Sequence, residues 1–314
     1  MILNTGSRTD IPAYYSQWFY RRVEEGYLLA RNPYNPVQVT RYELKPEVVD
    51  CLTFCTKNPA PMLSGLPRLR PFRQVWYVTV TPYGKEIEPF APDKEAVLAS
   101  FKELSRAVGE RAVFWRYDPI FLNDTYTVEY HLRQFEAMAS ALAGYTSRCV
   151  ISFIDLYEKT KRNFPGIRAV RREERLVLGE NLARIAGAHG IKLHTCCEGD
   201  ELAPFGIDCG GCMTREVLEQ AIGERLLVPG GRKPARQECS CLLGNDIGAY
   251  NSCGHGCLYC YANYDRATVI RNMKAHDPAS PYLIGHSRPD EVIRAARQES
   301  WIDRQISLDD WALR

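Results

Sequence analysis

Six short runs of β-branched and aromatic residues recur along the first part of the chain, at Ile2–Thr9, Val49–Thr56, Val75–Thr81, Ala112–Tyr117, Cys149–Leu156 and Lys192–Cys197. Helical patterns fall between or beside them, over Tyr14–Glu25, Lys94–Val108, Val128–Leu142 and Arg171–Ala188. The last of these carries Leu176, Leu178, Leu182 and Ile185 near one face and charges on the other. Alternation of this kind leaves few ways to bury both elements: the strands must form a parallel sheet with helices laid over it. The reading is an α/β fold, a partial or full (β/α) barrel of the TIM type, with six strands favoured and eight as the alternative. A chain of 314 residues accommodates such a barrel, taken as 1–225, and an appended C-terminal module, 226–314.

Each run ends in a polar or turn segment, and alternate residues of a strand share a face. Asn4, Arg8 and Asp10 therefore align, as do Thr53, Cys55 and Lys57; Thr79 and Thr81; Arg116 and Asp118; and His194, Cys196 and Glu198. Leu3, Leu52, Phe54, Val78 and Val80 occupy the opposite faces and suit packing beneath helices. Chemistry in barrels sits at the C-terminal ends of the strands. Unpaired charges inside a barrel are costly. Arg8, Asp10, Lys57, Arg116, Asp118 and Glu198 are accordingly the candidate catalytic residues, with structural ion pairs such as Arg8 with Asp10 as the competing reading.

Twelve cysteines exceed what packing requires, and they crowd between 196 and 260, leaving Cys51, Cys55 and Cys149 as small core residues. No charged-then-apolar leader opens the sequence and no apolar run approaches membrane-spanning length, so the expectation is a cytoplasmic metal binder rather than a secreted disulfide scaffold. Cys253, Cys257 and Cys260 stand in a C-x3-C-x2-C spacing, with Gly254 and Gly256 in the first loop and Tyr259 before the last cysteine. Glycines allow the tight turn from which such thiolates converge on a cubic iron–sulfur cluster. Three thiolates leave one iron open to a small molecule. A zinc knot closed by His255 competes, although that histidine sits awkwardly between two of the cysteines.

A second set comprises the pair Cys196–Cys197, Cys209-Gly210-Gly211-Cys212 and Cys239-Ser240-Cys241. Strand alternation turns one of Cys196 and Cys197 inward; Cys196 is the inward one, and Cys197 fills an apolar gap. Cys196, Cys209, Cys212, Cys239 and Cys241 are then five candidates for a four-ligand site. A second four-iron cluster is expected there, with structural zinc as the alternative. Residues 226–240 read as a linker, 261–275 as a helix, and 291–298 as a short helix before a polar tail. Thr214 reads as the N-cap of a further helix.

The C-x3-C-x2-C pattern with its aromatic Tyr259 resembles the signature of radical S-adenosylmethionine enzymes. The run Cys257-Leu258-Tyr259-Cys260-Tyr261-Ala262 is similar to the motif of spore photoproduct lyase and its relatives. Those proteins carry the motif after their first strand, whereas here a loop must fold back, or a neighbouring subunit must supply it. Nearly the whole chain resembles a bacterial domain-of-unknown-function family whose C-terminal cysteines mimic the radical S-adenosylmethionine cluster. The residues carrying that likeness are Asp246-Ile247-Gly248, Tyr250-Asn251 and the motif itself, preceded by Cys239-x-Cys241.

The resemblance implies an enzyme holding a [4Fe–4S] cluster on Cys253, Cys257 and Cys260, with S-adenosylmethionine bound at the open iron. It would abstract hydrogen from a small-molecule or nucleotide-type substrate at the strand ends, drawing electrons from an external one-electron reductant. Tyr117 or Cys197 would return hydrogen. Two other classes compete: an iron–sulfur electron-transfer or sensor protein, and a zinc-stapled nucleic-acid-binding module. A formal charge of +2 argues against binding nucleic acid mainly by electrostatics. The basic stretches Lys159–Arg175 and Arg68, Arg70 and Arg73 hold one aromatic each, Phe164 and Phe72, too few for a base-stacking track, and read as solvated surface.

Overall fold

The computed structural model describes residues 1–230, 239–243 and 245–305. In chain order the elements are β1 (Ile2–Asn4), α1 (Ile11–Tyr14), α2 (Ser16–Glu25), β2 (Tyr27–Arg31), β3 (Gln38–Glu43), β4 (Cys51–Thr56), α3 (Ala60–Leu63), β5 (Gln74–Thr79) and α4 (Lys94–Val108). There follow β6 (Val113–Ile120), α5 (Val128–Leu142), β7 (Arg148–Phe153), α6 (Glu158–Asn163), α7 (Arg172–Ala188), β8 (Lys192–Thr195), α8 (Arg215–Ile222), α9 (Arg266–Lys274) and β9 (Val292–Ala295).

The six anticipated strands form one parallel sheet in the order β1-β4-β5-β6-β7-β8. Each new strand joins beside the last, which is the arrangement repeated strand–helix units impose. The sheet is compatible with a partial barrel. Its outer face packs aromatics against the helices: Phe54 stacks on Trp76 and meets Phe19 of α2 edge-on, and Trp115 stacks on Phe135 of α5. All five side chains are buried. Helix starts follow side-chain caps: Thr127 accepts from Tyr130 N, Thr214 from Val217 N, and Asp265 from Thr268 N.

Two irregular segments cover the open side between β8 and β1. Asp208 exchanges hydrogen bonds with Leu193 and Thr195 at the β8 edge, while Asn245 and Ile247 do so with Asn4 at the β1 edge. Leu242 N donates to Met213 O at 2.9 Å, joining the two segments to each other. From there the chain crosses the C-terminal ends of the strands. Leu258 N donates to Ile87 O, Phe90 N to His255 O, and the Tyr15 hydroxyl to Ser252 O.

A small second sheet was not anticipated. β2 and β3 form an antiparallel hairpin, and β9 pairs parallel with β3. The expected helix at 291–298 is therefore a strand. Val292 N bonds to Val37 O and Ala296 N to Arg41 O, so a partner distant in sequence decided what this short segment became. The helix expected over 261–275 starts later, at Arg266, because the residues before it are committed to the cysteine loop. Most of the linker expected at 226–240 lies outside the described residues.

Candidate metal centre and cavity

The cysteine loop meets the sheet at a cavity of about 280 Å³. Cys253, Cys257 and Cys260 line it together with Arg8, Asp10, Lys57, Arg116 and Asp118, so the fold assembles in one place what the strand ends and the motif suggested separately. The loop thiols interact electrostatically with one another. Burial pushes the Cys253 thiol well above its ordinary value, Cys257 up to about 12, and Cys260 upward as well.

His255 is committed elsewhere. Its Nε2 lies 2.8 Å from Asp10 Oδ2 and its Nδ1 3.0 Å from the Tyr14 hydroxyl. With Nε2–H donating to the carboxylate, Nδ1 is left to accept from Tyr14, and neither nitrogen is offered to a metal. Asp10 also caps α1 through Ala13 N at 3.0 Å and accepts from Lys57 N at 2.8 Å. One carboxylate thus ties α1, the end of β4 and the cysteine loop together. Gly254 and Gly256 serve close packing: a Cβ at either would fall 2.8 Å from the Tyr14 ring or 2.9 Å from the Phe90 ring.

The charged residues of the cavity are paired, though not as expected. Arg8 bonds Asp246 rather than Asp10, with Nε 2.9 Å from Oδ1. Arg116 grips Asp118 from the same strand, Nε lying 3.0 Å from Oδ1. Lys57 Nζ lies 2.9 Å from Glu88 Oε1, which also accepts from Thr81 Oγ1 at 2.6 Å and from the Tyr259 hydroxyl. Burial drives the Glu88 carboxyl up, but Lys57, Thr81 and Tyr259 together hold it below the usual carboxylate value. Burial pulls Lys57 down, but Glu88, Cys257 and Asp118 together raise it above its ordinary value, so the pair stays ionised. Glu88 and Tyr14 carried no signal in the sequence: one lies in an aperiodic loop, the other in a helix of four residues.

Three expectations are corrected or relocated. Glu198 lines a different cavity, of about 460 Å³, with Cys197 and Arg175, and burial pushes its carboxyl up to about 8. Tyr117 faces away from the chemistry, under α5, with its hydroxyl 2.9 Å from His131 Nδ1. Cys55, read as a core residue, lines the main cavity, whereas Cys51 and Cys149 are fully buried.

The position of His131 gives a pH prediction. Burial lowers its pKa from 6.5 to about 4, against the pull of its bond to Phe121 O. A folded-state pKa below the unfolded one means that the unfolded chain takes up the proton first. Stability carried by neutral His131 is present above pH 6.5 and is lost as pH falls through 4, by up to about 3 kcal/mol. Urea unfolding at a series of pH values should show a shallower acid-side slope for His131→Gln than for the native chain.

In the second cysteine set, the Cys212 thiol lies 3.5 Å from Cys196 Sγ and 3.7 Å from Cys241 Sγ. Cys241 Sγ accepts from Met213 N at 3.3 Å, and Arg116 Nη1 lies 4.0 Å from Cys212 Sγ. Cys197 contacts both Cys196 and Cys239. Cys209 turns instead to the Ile207 carbonyl, at 3.7 Å. Hydrogen bonds from its neighbours hold Cys196 well below the ordinary thiol value, and Cys212 is raised. Among the described residues, no group of three or more His, Cys, Asp or Glu side chains is arranged so that it could hold a metal ion as it stands.

Outside the cavity mouth lies a cleft formed by Tyr157, Glu158, Lys159, Arg162, Tyr250, Tyr261 and Tyr264. Tyr157 and Tyr261 line both spaces. Lys159 Nζ sits 3.7 Å from the Tyr264 ring centroid and 5.3 Å from that of Tyr250. Three tyrosines of the C-terminal segment are thus brought beside the basic stretch, whose own aromatic is Phe164. No helix among the described residues is long and apolar enough to cross a membrane.

A family model described as "Domain of unknown function (DUF1848)" matches residues 2–262, and the chain belongs to that family. A search of curated proteins finds no match.

Proposed function

We propose that this member of the DUF1848 family is an iron–sulfur enzyme of the radical S-adenosylmethionine type. The observation that supports this reading most is a set of three thiols, Cys253, Cys257 and Cys260, facing a cavity that Arg8, Lys57, Arg116 and Asp118 also line, while His255 is held out of ligation by Asp10 and Tyr14. The donor set fits the group: soft thiolates from one tight loop suit iron–sulfur ligation. Burial pushes the thiol of Cys55, on the cavity's β4 wall, up to about 12 against the pull of Arg116. When bound, a four-iron cluster with one open iron supplies a low-potential electron for reductive cleavage of S-adenosylmethionine and hence for hydrogen abstraction.

The chain's own contribution is shape and charge. Lys57–Glu88, Arg116–Asp118 and Arg8–Asp246 fix ionised groups around the cavity by mutual pairing, so they remain in place when water is displaced. Tyr259, between two ligand cysteines, anchors the loop to Glu88. Ser152 adds a hydroxyl 3.4 Å from Asp118 Oδ2. The tyrosine–lysine cleft at the mouth suits a nucleotide-type substrate, because bases stack on aromatic faces and cations meet phosphate.

The test is anaerobic purification with iron and sulfide analysis, followed by reduction with S-adenosylmethionine present. The expected result is about four irons on the loop thiols and formation of 5′-deoxyadenosine. Reduction without cleavage would make the protein an electron carrier or sensor. Zinc alone, with steeply salt-dependent nucleic-acid binding, would make it a zinc-stapled binding module.

A further inference from the structure

We propose that the second cysteine set holds a single zinc ion, on Cys196, Cys212, Cys239 and Cys241, which staples shut the open side of the sheet. The argument is independent of the iron chemistry and starts from sulfur spacing. A tetrahedral ion with Zn–S bonds of about 2.3 Å holds its sulfurs about 3.8 Å apart. Cys212 Sγ lies 3.5 Å from Cys196 Sγ and 3.7 Å from Cys241 Sγ. A four-iron cluster puts each thiolate on a different iron, and the body of the cluster keeps those sulfurs well out of contact. The second site therefore has the scale of one ion.

The surroundings suit a thiolate-rich ion. Met213 N–H donates to Cys241 Sγ, and the Arg116 guanidinium stands beside Cys212. Both offset the negative charge left when a doubly charged ion displaces the protons of four thiols. The fourth ligand is Cys239: it is buried, two residues from Cys241, and already meets the thiol chain through Cys197. Cys209 points at a carbonyl, which leaves it outside the set, while Cys197 touches both Cys196 and Cys239 and backs these two ligands from the side of the neighbouring cavity.

Position supplies the role. Cys196 follows β8, Cys212 precedes Met213, and Cys241 precedes Leu242, whose N–H bonds Met213 O. One ion at these sulfurs would cross-link β8 and both covering segments, which hydrogen bonds such as Leu242 N to Met213 O and Ser240 Oγ to Gly210 O now join. Arg116, shared between Cys212 and Asp118, runs from this staple to the main cavity wall.

The experiment is elemental analysis and zinc-edge X-ray absorption on the full chain, expressed with zinc and iron present and purified without chelator. The expected result is about one zinc per chain in a four-sulfur shell at about 2.3 Å. A triple Cys253→Ala, Cys257→Ala, Cys260→Ala variant should keep that zinc while losing its iron, so this site and the proposed cluster fail separately. Cys212→Ser and Cys241→Ser should lower zinc about tenfold or more, and Cys209→Ser and Cys197→Ser should not. Should the ligand variants fail to fold, mercurial titration of native protein should release one zinc as about four thiols are modified. Native chain without zinc, a nitrogen or oxygen shell, or iron remaining in the triple variant would each overturn the proposal.

Discussion

Cys257→Ala should lose its bound iron, with occupancy falling by about a hundredfold, and should no longer form 5′-deoxyadenosine. The effect is expected to be this large because the three ligands come from one short loop, so removing the middle one leaves two thiols at its ends and nothing between them to close the site. Cys149→Ala gives the contrast. Its thiol is fully buried under the sheet, and the variant should keep its iron. His255→Gln should keep iron as well, since neither ring nitrogen is available for ligation. Iron analysis of the three variants decides the point. Loss in His255→Gln and retention in Cys257→Ala would assign the ligands differently.

Glu88→Leu should destabilise the fold by about 3–5 kcal/mol, because it leaves the Lys57 ammonium buried without its partner. The pair is shielded, with side-chain exposures of 13% for Lys57 and 8% for Glu88, so solvent screening removes little of this. The same substitution also removes the carboxylate to which the hydroxyls of Thr81 and Tyr259 donate. Removing the charge as well, in Lys57→Met with Glu88→Leu, should recover much of the loss, since two apolar side chains replace an ion pair more cheaply than one charge survives alone. Urea denaturation of the two variants measures both effects. A single-variant cost below about 1 kcal/mol would mean that the pair is effectively solvated.

The sheet was legible because its strands are continuous apolar runs bounded by turn segments, and Lys94–Val108 and Val128–Leu142 are helices with the expected ends. The hairpin β2–β3 and strand β9 were not legible. Val292 and Ile293 are exposed, with no periodicity to mark a strand, and their pairing with β3 comes from contacts across most of the chain. The same distinction holds at the site. Strand alternation brought Lys57, Arg116 and Asp118 to one cavity, because each lies in a strand or directly after one, whereas Arg8 reaches it from the bends that follow the short strand β1. The ion pair weighed as the competing reading, Arg8 with Asp10, is not the one formed, because Asp246 enters from the far end of the sequence. Glu198 went astray for a related reason. The backbone turns at Cys197, where φ is 59°, and strand alternation no longer applies beyond that residue.

The central claim is that the loop thiols leave one iron open toward the cavity. Its most direct test is the electron paramagnetic resonance spectrum of the anaerobically reconstituted, reduced protein, recorded with and without S-adenosylmethionine. A cluster signal whose g values shift when S-adenosylmethionine is added is the predicted result. A cluster signal indifferent to the addition, or a protein carrying zinc and no cluster, would contradict the account.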